Sequence, residues 1–291
     1  DPKTRTWWEG PNYNGASDKS VYTITFEALD GTPIAVYYNY AMHAVIMGQY
    51  DMVSGDVPGA TSKYIEDSYN NKIVAVWSAG AAGDQNPIYF QQTFDLRDIR
   101  IKDYAKRGED ISNSMPPGGT GLNRSDPVVQ RLMKEQELVN NAMGVMLGEE
   151  VKHVMRSVVR TTDKAEIKAA QQVIKFPGRR RTNQGRGGIE GTYVDADSVN
   201  LRIGVLLLDD IALGTVSGET YNPIATQFIK ESPYAKTMMV TIANGSGSTG
   251  YIPDDASYGQ NVFEVLSSRV KPGYAERGII DGIIDLMEKL K

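Results

Sequence analysis

Ile34-Ala35-Val36-Tyr37-Tyr38-Asn39-Tyr40-Ala41-Met42-His43 is the stretch that decides how this sequence folds. Its first seven residues are mostly β-branched or aromatic, as a strand requires. Just upstream, residues 21–29 alternate between apolar and polar types, the pattern of a half-buried strand. Asp30-Gly31-Thr32-Pro33 lies between the two runs, and Asp-Gly in that setting is a hairpin signal. The second strand runs straight into His43. α/β folds place reactive side chains just past the C-terminal ends of strands, so His43 is the first candidate for chemistry.

The same grammar continues outward. Ser54-Gly55-Asp56-Val57-Pro58-Gly59-Ala60 leads into helical character over residues 61–69. Residues 73–78 read as a buried strand, closed by the small-residue turn Ala79-Gly80-Ala81-Ala82-Gly83-Asp84-Gln85-Asn86-Pro87. Residues 201–208 and 211–216 form a second hairpin through Asp209-Asp210, followed by Ser217-Gly218-Glu219. A helix is expected over 221–230 and a strand over 237–243. A glycine-rich turn then leads to Tyr251, and an amphipathic helix spans 277–290. The middle differs. Residues 95–126 are polar, contain Pro116-Pro117-Gly118-Gly119, and read as a loop. Residues 127–155 carry apolar side chains at helical spacing. Residues 154–162 and 165–174 read as strands, the latter with a helical alternative at its start. Residues 176–191, with Arg179-Arg180-Arg181, read as a solvated basic loop. The expectation is one α/β domain over 1–291, with mixed β-sheets and flanking helices.

Composition narrows the function. The chain has 291 residues, 31 Lys and Arg, 36 Asp and Glu, two His and no Cys. Without cysteine there is no disulfide framework, thiolate zinc site, iron–sulfur ligation or cysteine nucleophile. His43 and His153 alone do not make a three-histidine zinc centre. A net charge of −5 argues against nucleic acid, whose phosphates call for a basic face. No segment approaches the roughly 18 apolar residues of a transmembrane helix. Asp1-Pro2-Lys3-Thr4-Arg5 is no signal peptide, and it reads as the start of a processed or trimmed chain. Neither a dinucleotide nor a Walker fingerprint is present.

Taken singly, each polar candidate has an ordinary structural explanation. His43 suits a satisfied, half-buried imidazole, and His153 suits a helix end, where its charge offsets the dipole. Glu219 suits the first turn of a helix. Asp84-Gln85-Asn86-Pro87 suits a simple turn. Their shared placement, just past successive strand ends, is the stronger signal.

Three segments then stand in a telling order: Asn39-Tyr40-Ala41-Met42-His43, Val53-Ser54-Gly55-Asp56-Val57-Pro58-Gly59 and Gly83-Asp84-Gln85-Asn86-Pro87. In that order they resemble motifs of the neutral/alkaline non-lysosomal ceramidase family. Ser217-Gly218-Glu219 is similar to its Pro-Gly-Glu segment. The stretch from Asn244 through Tyr251-Ile252 to Tyr258 is similar to its Tyr-Ile…Tyr segment. The matches span residues 36–264.

The resemblance implies a neutral-ceramidase-like catalytic domain and a zinc-dependent amidohydrolase acting on a lipid or small-molecule amide. Family zinc is held by two histidines, a glutamate and a tyrosine. His43, Glu219 and Tyr251 take three of those places. The implied catalytic residues are Tyr251 and Asn86, and the implied substrate contacts are Asp56, Asp84 and Asn86. The sequence departs from the family pattern in several ways. No histidine lies upstream of His43, so a further ligand is expected from an upstream fragment of the same precursor. Asn86 stands where ceramidases have serine, which opens a non-lipid amide, ester or lactone as substrate. Phe263 replaces a tyrosine, and no immunoglobulin-like domain follows. A non-catalytic binding remnant is the remaining alternative. The implied location is secreted or periplasmic.

Overall fold

A computed structural model describes residues 10, 12–49, 52–111, 122–158, 161–185, 188–245 and 249–291. The expected hairpin is present. β1 (Tyr22–Glu27) pairs antiparallel with β2 (Pro33–Tyr40), with Ile24 opposite Tyr37. The chain then forms α1 (Asp56–Ser68) and returns as β3 (Val74–Ala79), which lies parallel to β2. Parallel pairing needs such a crossover, because no tight turn returns a chain to the same direction.

After α2 (Gln91–Ala105) and α3 (Pro127–Arg156), the chain builds a second sheet. Its strands are β4 (Ile167–Arg181), β5 (Tyr193–Leu208), β6 (Ile211–Val216) and, after intervening elements, β8 (Lys236–Val240), in the order β4-β5-β6-β8. Between β6 and β8 lie the two-residue β7 (Glu219–Thr220) and α4 (Asn222–Glu231). β6 and β8 are parallel, so α4 serves this sheet as α1 serves the first. β9 (Tyr251–Ile252), a 3₁₀ turn at Asp255–Gly259, α5 (Phe263–Ser267) and α6 (Ala275–Lys289) complete the chain.

The two larger of the apolar clusters hold the layers. β5 turns Leu201, Ile203, Val205 and Leu207 inward at every second residue. They pack with α6 through Ile279, Ile280, Ile283 and Met287, and with Phe228 of α4. In the first sheet, Val36, Tyr38 and Ala75 meet Ile65 of α1 and Leu147 and Val151 of α3. Each such side chain contributes about 1.5–3 kcal/mol by leaving water. α1 and α3 approach so closely that a Cβ on Gly144 would lie 2.5 Å from the Ala60 methyl. α3 starts at a clear signal: the Asp126 carboxylate accepts Val128 N–H at 2.7 Å, with Pro127 in the first turn.

The two sheets are stitched at one end. Thr241 N–H donates to Ala79 O (2.9 Å), and its hydroxyl to Gly80 O (2.6 Å). The Asn39 amide donates to Met239 O at 3.2 Å. Consequently the C-terminal ends of parallel strands β2, β3, β6 and β8 open at neighbouring places, where open α/β sheets bind ligands. Among the described residues, no helix is long and apolar enough to cross a membrane.

The structure corrects four expectations from the sequence. Residues 95–105, expected in a loop, are helical and belong to α2, Gln91–Ala105. Phe94, Leu96, Arg100 and Tyr104 turn inward, but only part of that inner face is apolar, so the helical period is faint. Pro116–Gly119 lies outside the described residues. Residues 154–156 finish α3 rather than starting a strand, because Val151 and Met155 continue its buried stripe; residues 159 and 160 lie outside the described residues. α1 begins at Asp56, since Pro58 in a first turn forfeits no helical hydrogen bond. Finally, Arg179-Arg180-Arg181 belongs to β4, paired with Tyr193, Val194 and Asp195. Arg179 is buried, its guanidinium between the rings of Tyr193 (3.9 Å) and Tyr258 (4.8 Å).

Candidate functional site

His43 leaves the end of β2 with its backbone held: its N–H donates to Gln85 O at 3.0 Å. Gln85 belongs to the turn past β3. That same turn reaches the strand end past β6, where Gly83 N–H donates to Thr220 O at 2.9 Å. Asp84 Oδ1 accepts Asn222 N–H at 2.8 Å, at the start of α4. A side chain at position 83 is excluded, because a Cβ there would sit 2.5 Å from Glu219 O and 2.9 Å from a ring carbon of Tyr221.

β7 and β9 form a parallel pair with Glu219 directly beside Tyr251. Glu219 N–H donates to Gly250 O, and Tyr221 N–H to Ile252 O, each at 3.0 Å. Three distant segments thus deliver three polar side chains to one place. His43 Nε2 lies 3.6 Å from Glu219 Oε2. The His43 ring meets Tyr251 edge-on at 5.9 Å, and Tyr251 meets Phe263 the same way at 5.9 Å.

The electrostatics favour a neutral imidazole. Burial lowers the His43 pKa, against the opposing pull of Glu219 and Asp84. Desolvation prevails, so the 3.6 Å approach to Glu219 is not a charge pair near pH 7. Burial raises the Asp84 carboxyl, with Asp254 adding to it and the Asn222 N–H opposing, although the residue keeps an exposed edge. Tyr221, buried, is held well above the ordinary phenol range by burial, with Glu264, Asp84, Asp254 and Tyr251 adding to it.

Whether these residues suit a metal turns on His43. Its Nε2 is occluded and has no hydrogen-bond partner, a state that ordinarily costs about 1–3 kcal/mol. A neutral imidazole nitrogen left over beside a carboxylate and a phenol is a donor set compatible with zinc. Among the described residues, no group of three or more His, Cys, Asp or Glu side chains could hold a metal ion. The candidate set is therefore one imidazole, one carboxylate and one phenol.

The other expected residues lie as follows. Asn86 is exposed, one position past Gln85. Asp56 is buried with φ of 52°, and both carboxylate oxygens face backbone donors, Met47 N–H at 2.7 Å and Val57 N–H at 2.8 Å. These bonds tie the segment after His43 to the start of α1. His153 is exposed in the last turn of α3. Residues 246–248 of the glycine-rich turn lie outside the described residues. Sequence reasoning passed over Gln85, whose carbonyl holds His43, and Tyr221. Tyr221 was within reach of it, two positions after Glu219 in the same strand-end segment.

Two of the solved structures similar to this chain resemble it in fold. One is described as a ceramidase complexed with C2, with a TM-score of 0.66 at 11% identity, over 96% of this chain and 50% of that one. The fold is ceramidase-like. A neutral ceramidase from Pseudomonas aeruginosa gives 0.63 at 12% identity, over 94% and 47%. The chain spans about half the length of these two structures. Identity this low carries the ceramidase-like fold and no activity. No family model matches the sequence, and no curated protein matches it.

Proposed function

We propose that this chain, as one catalytic domain, belongs to a zinc-dependent hydrolase that cleaves an N-acyl amide bond, as a neutral ceramidase does. The observation that carries the reading is the convergence of His43, Glu219 and Tyr251 from three separate strand ends, with His43 Nε2 buried and unpartnered. These three residues would hold the metal. A zinc ion held by them would supply Lewis acidity, polarising a scissile carbonyl and lowering the pKa of a bound water.

The chain's own residues supply the rest. His43 stays neutral, so its ring nitrogen remains a lone-pair donor. Asn86 sits exposed at the rim, where its amide donates to a substrate oxygen, and Asp84 lines the same turn. Asp56 acts on the substrate side through the segment between His43 and α1. Tyr251 serves both as ligand and as a hydroxyl next to the reacting bond. In this reading an upstream fragment of the same precursor adds a further histidine, and the protein works outside the cytoplasm, secreted or periplasmic. The substrate is a lipid or small-molecule amide.

The test is zinc content by mass spectrometry, and hydrolysis of an N-acyl sphingoid amide against short amides, esters and lactones. The protein should be produced together with its upstream segment. Stoichiometric zinc and amide cleavage, both lost in His43→Ala and Glu219→Gln, are expected. A zinc-free, inactive protein in that form would sink the proposal.

A further inference from the structure

The turn Gly83-Asp84-Gln85 touches both candidate donor segments, and it does so through three separate hydrogen bonds. The Gln85 carbonyl holds His43 N–H at 3.0 Å. Gly83 N–H holds Thr220 O at 2.9 Å, one residue past Glu219. Asp84 Oδ1 holds Asn222 N–H at 2.8 Å, three residues past Glu219. We infer that this turn is a gauge block that sets the separation of His43 and Glu219, and that Asp84 is a positioning residue acting through Asn222 rather than a ligand or a substrate contact.

The argument is geometric. Two of the three bonds are backbone to backbone and run on either side of Asp84. β7 is two residues long and pairs with a strand of equal length, which alone orders little. Beyond that pair, Ile242 N–H holds Gly218 O at 3.2 Å on one side of Glu219, and the turn past β3 holds the segment on the other. The candidates on the β3 side are Gly83 and Asp84, and only Asp84 does so through a side chain. Its carboxylate also answers one of the orphan N–H groups that open α4. Without it, that N–H loses its partner, and the segment from Glu219 to Asn222 is pinned by one bond to the turn in place of two.

The inference rests on the metal reading only where it concerns ligand geometry, and the experiment separates the two. The chain has two histidines, and His153 is exposed on α3, so ring-labelled histidine gives two resolvable NMR signals, assigned by His153→Ala. Asp84→Asn keeps an oxygen that accepts Asn222 N–H, whereas Asp84→Ala removes it. At a pH where imidazole is neutral, the His43 ring signal of metal-free Asp84→Asn should match the parent, while that of Asp84→Ala should shift and broaden. Far-UV circular dichroism controls for the fold. Zinc titration should follow the same order, with Asp84→Ala weaker by about 10–100-fold, the usual effect of removing a group that orients a ligand, and Asp84→Asn within about twofold. Equal damage in both variants would overturn the inference, because charge or direct contact would then matter rather than the bond. An unmoved His43 signal in Asp84→Ala would overturn it too. If the parent binds no zinc, the metal reading fails, and the ring signals still decide the positioning role.

Discussion

Arg179→Ala removes a buried guanidinium that two backbone carbonyls and two aromatic rings receive. A solvated basic loop tolerates it; a buried strand residue does not. The guanidinium donates to Ser268 O at 3.0 Å and to Val265 O at 2.6 Å, and it stacks between Tyr193 and Tyr258. Bonds from a charged donor contribute about 1.5–3 kcal/mol each, and each ring about 0.5–1 kcal/mol. These contacts share one group and do not simply add, so a loss of about 3–5 kcal/mol is expected. For a chain of this order that lowers Tm by on the order of 10 °C. Denaturant unfolding of Arg179→Ala, Arg179→Met and Arg180→Ala is the assay. Arg179→Met restores the stem but no hydrogen bond and should recover less than half. Arg180 is exposed and should change stability by less than about 0.5 kcal/mol. Hydrogen exchange should quicken first between Tyr258 and Val270, the segment the guanidinium holds. Equal stabilities for the Arg179 and Arg180 alanine variants would refute the clamp.

His43→Ala should abolish zinc binding and hydrolysis with little loss of fold, whereas His153→Ala should alter neither; parallel losses in both, read by zinc content and circular dichroism, would end that division of roles. Burial pushes the Tyr38 phenol up to about 12, with its hydroxyl bonded to Pro58 O and Ser62. A raised folded pKa means that its stabilisation is complete below about pH 10 and is lost as pH climbs towards 12, up to ~2.7 kcal/mol. Tyr38→Phe should therefore flatten the alkaline fall of unfolding free energy, and an unchanged slope would count against it. Phe228→Ala, with no exposed surface in the parent, should cost about 3–5 kcal/mol in chemical denaturation; a loss under about 1 kcal/mol would mean the core is placed wrongly.

The parts of the fold legible in the sequence are those where local pattern and tertiary role agree. Asp30-Gly31 turns β1 into β2, Asp209-Asp210 turns β5 into β6, and α3 carries an apolar stripe long enough to declare itself. α2 hides because Arg100 occupies its buried face, so polarity misreports burial. Arg179 hides for a related reason. A guanidinium enters an interior once carbonyls and aromatic faces receive it, and the two carbonyls lie 89 and 86 residues away in the chain. Tyr193 and Tyr258 give no local hint of it. At the site, motif order singled out His43, Glu219 and Tyr251, and the structure brings these three side chains together. The turn over residues 79–87 was legible as a turn, but its bonds to the His43 and Glu219 segments were not, because two of the three come from backbone atoms, which look alike in every sequence.

The β7–β9 pair has a consequence for any attempt to move this site elsewhere. Glu219 and Tyr251 are neighbours in space, yet they stand on parallel strands, and parallel neighbours cannot be joined by a short turn. His43 arrives from a different sheet altogether. No excised peptide, hairpin or helix from this chain retains the three side chains in proximity. The site is a property of the closed topology and appears only after both crossovers, through α1 and through α4, are in place. During folding it should be among the last features to form, so an unfolded or half-folded chain offers scavenging metals none of these three donors as a set. A graft onto another scaffold would have to copy four strand ends rather than one loop.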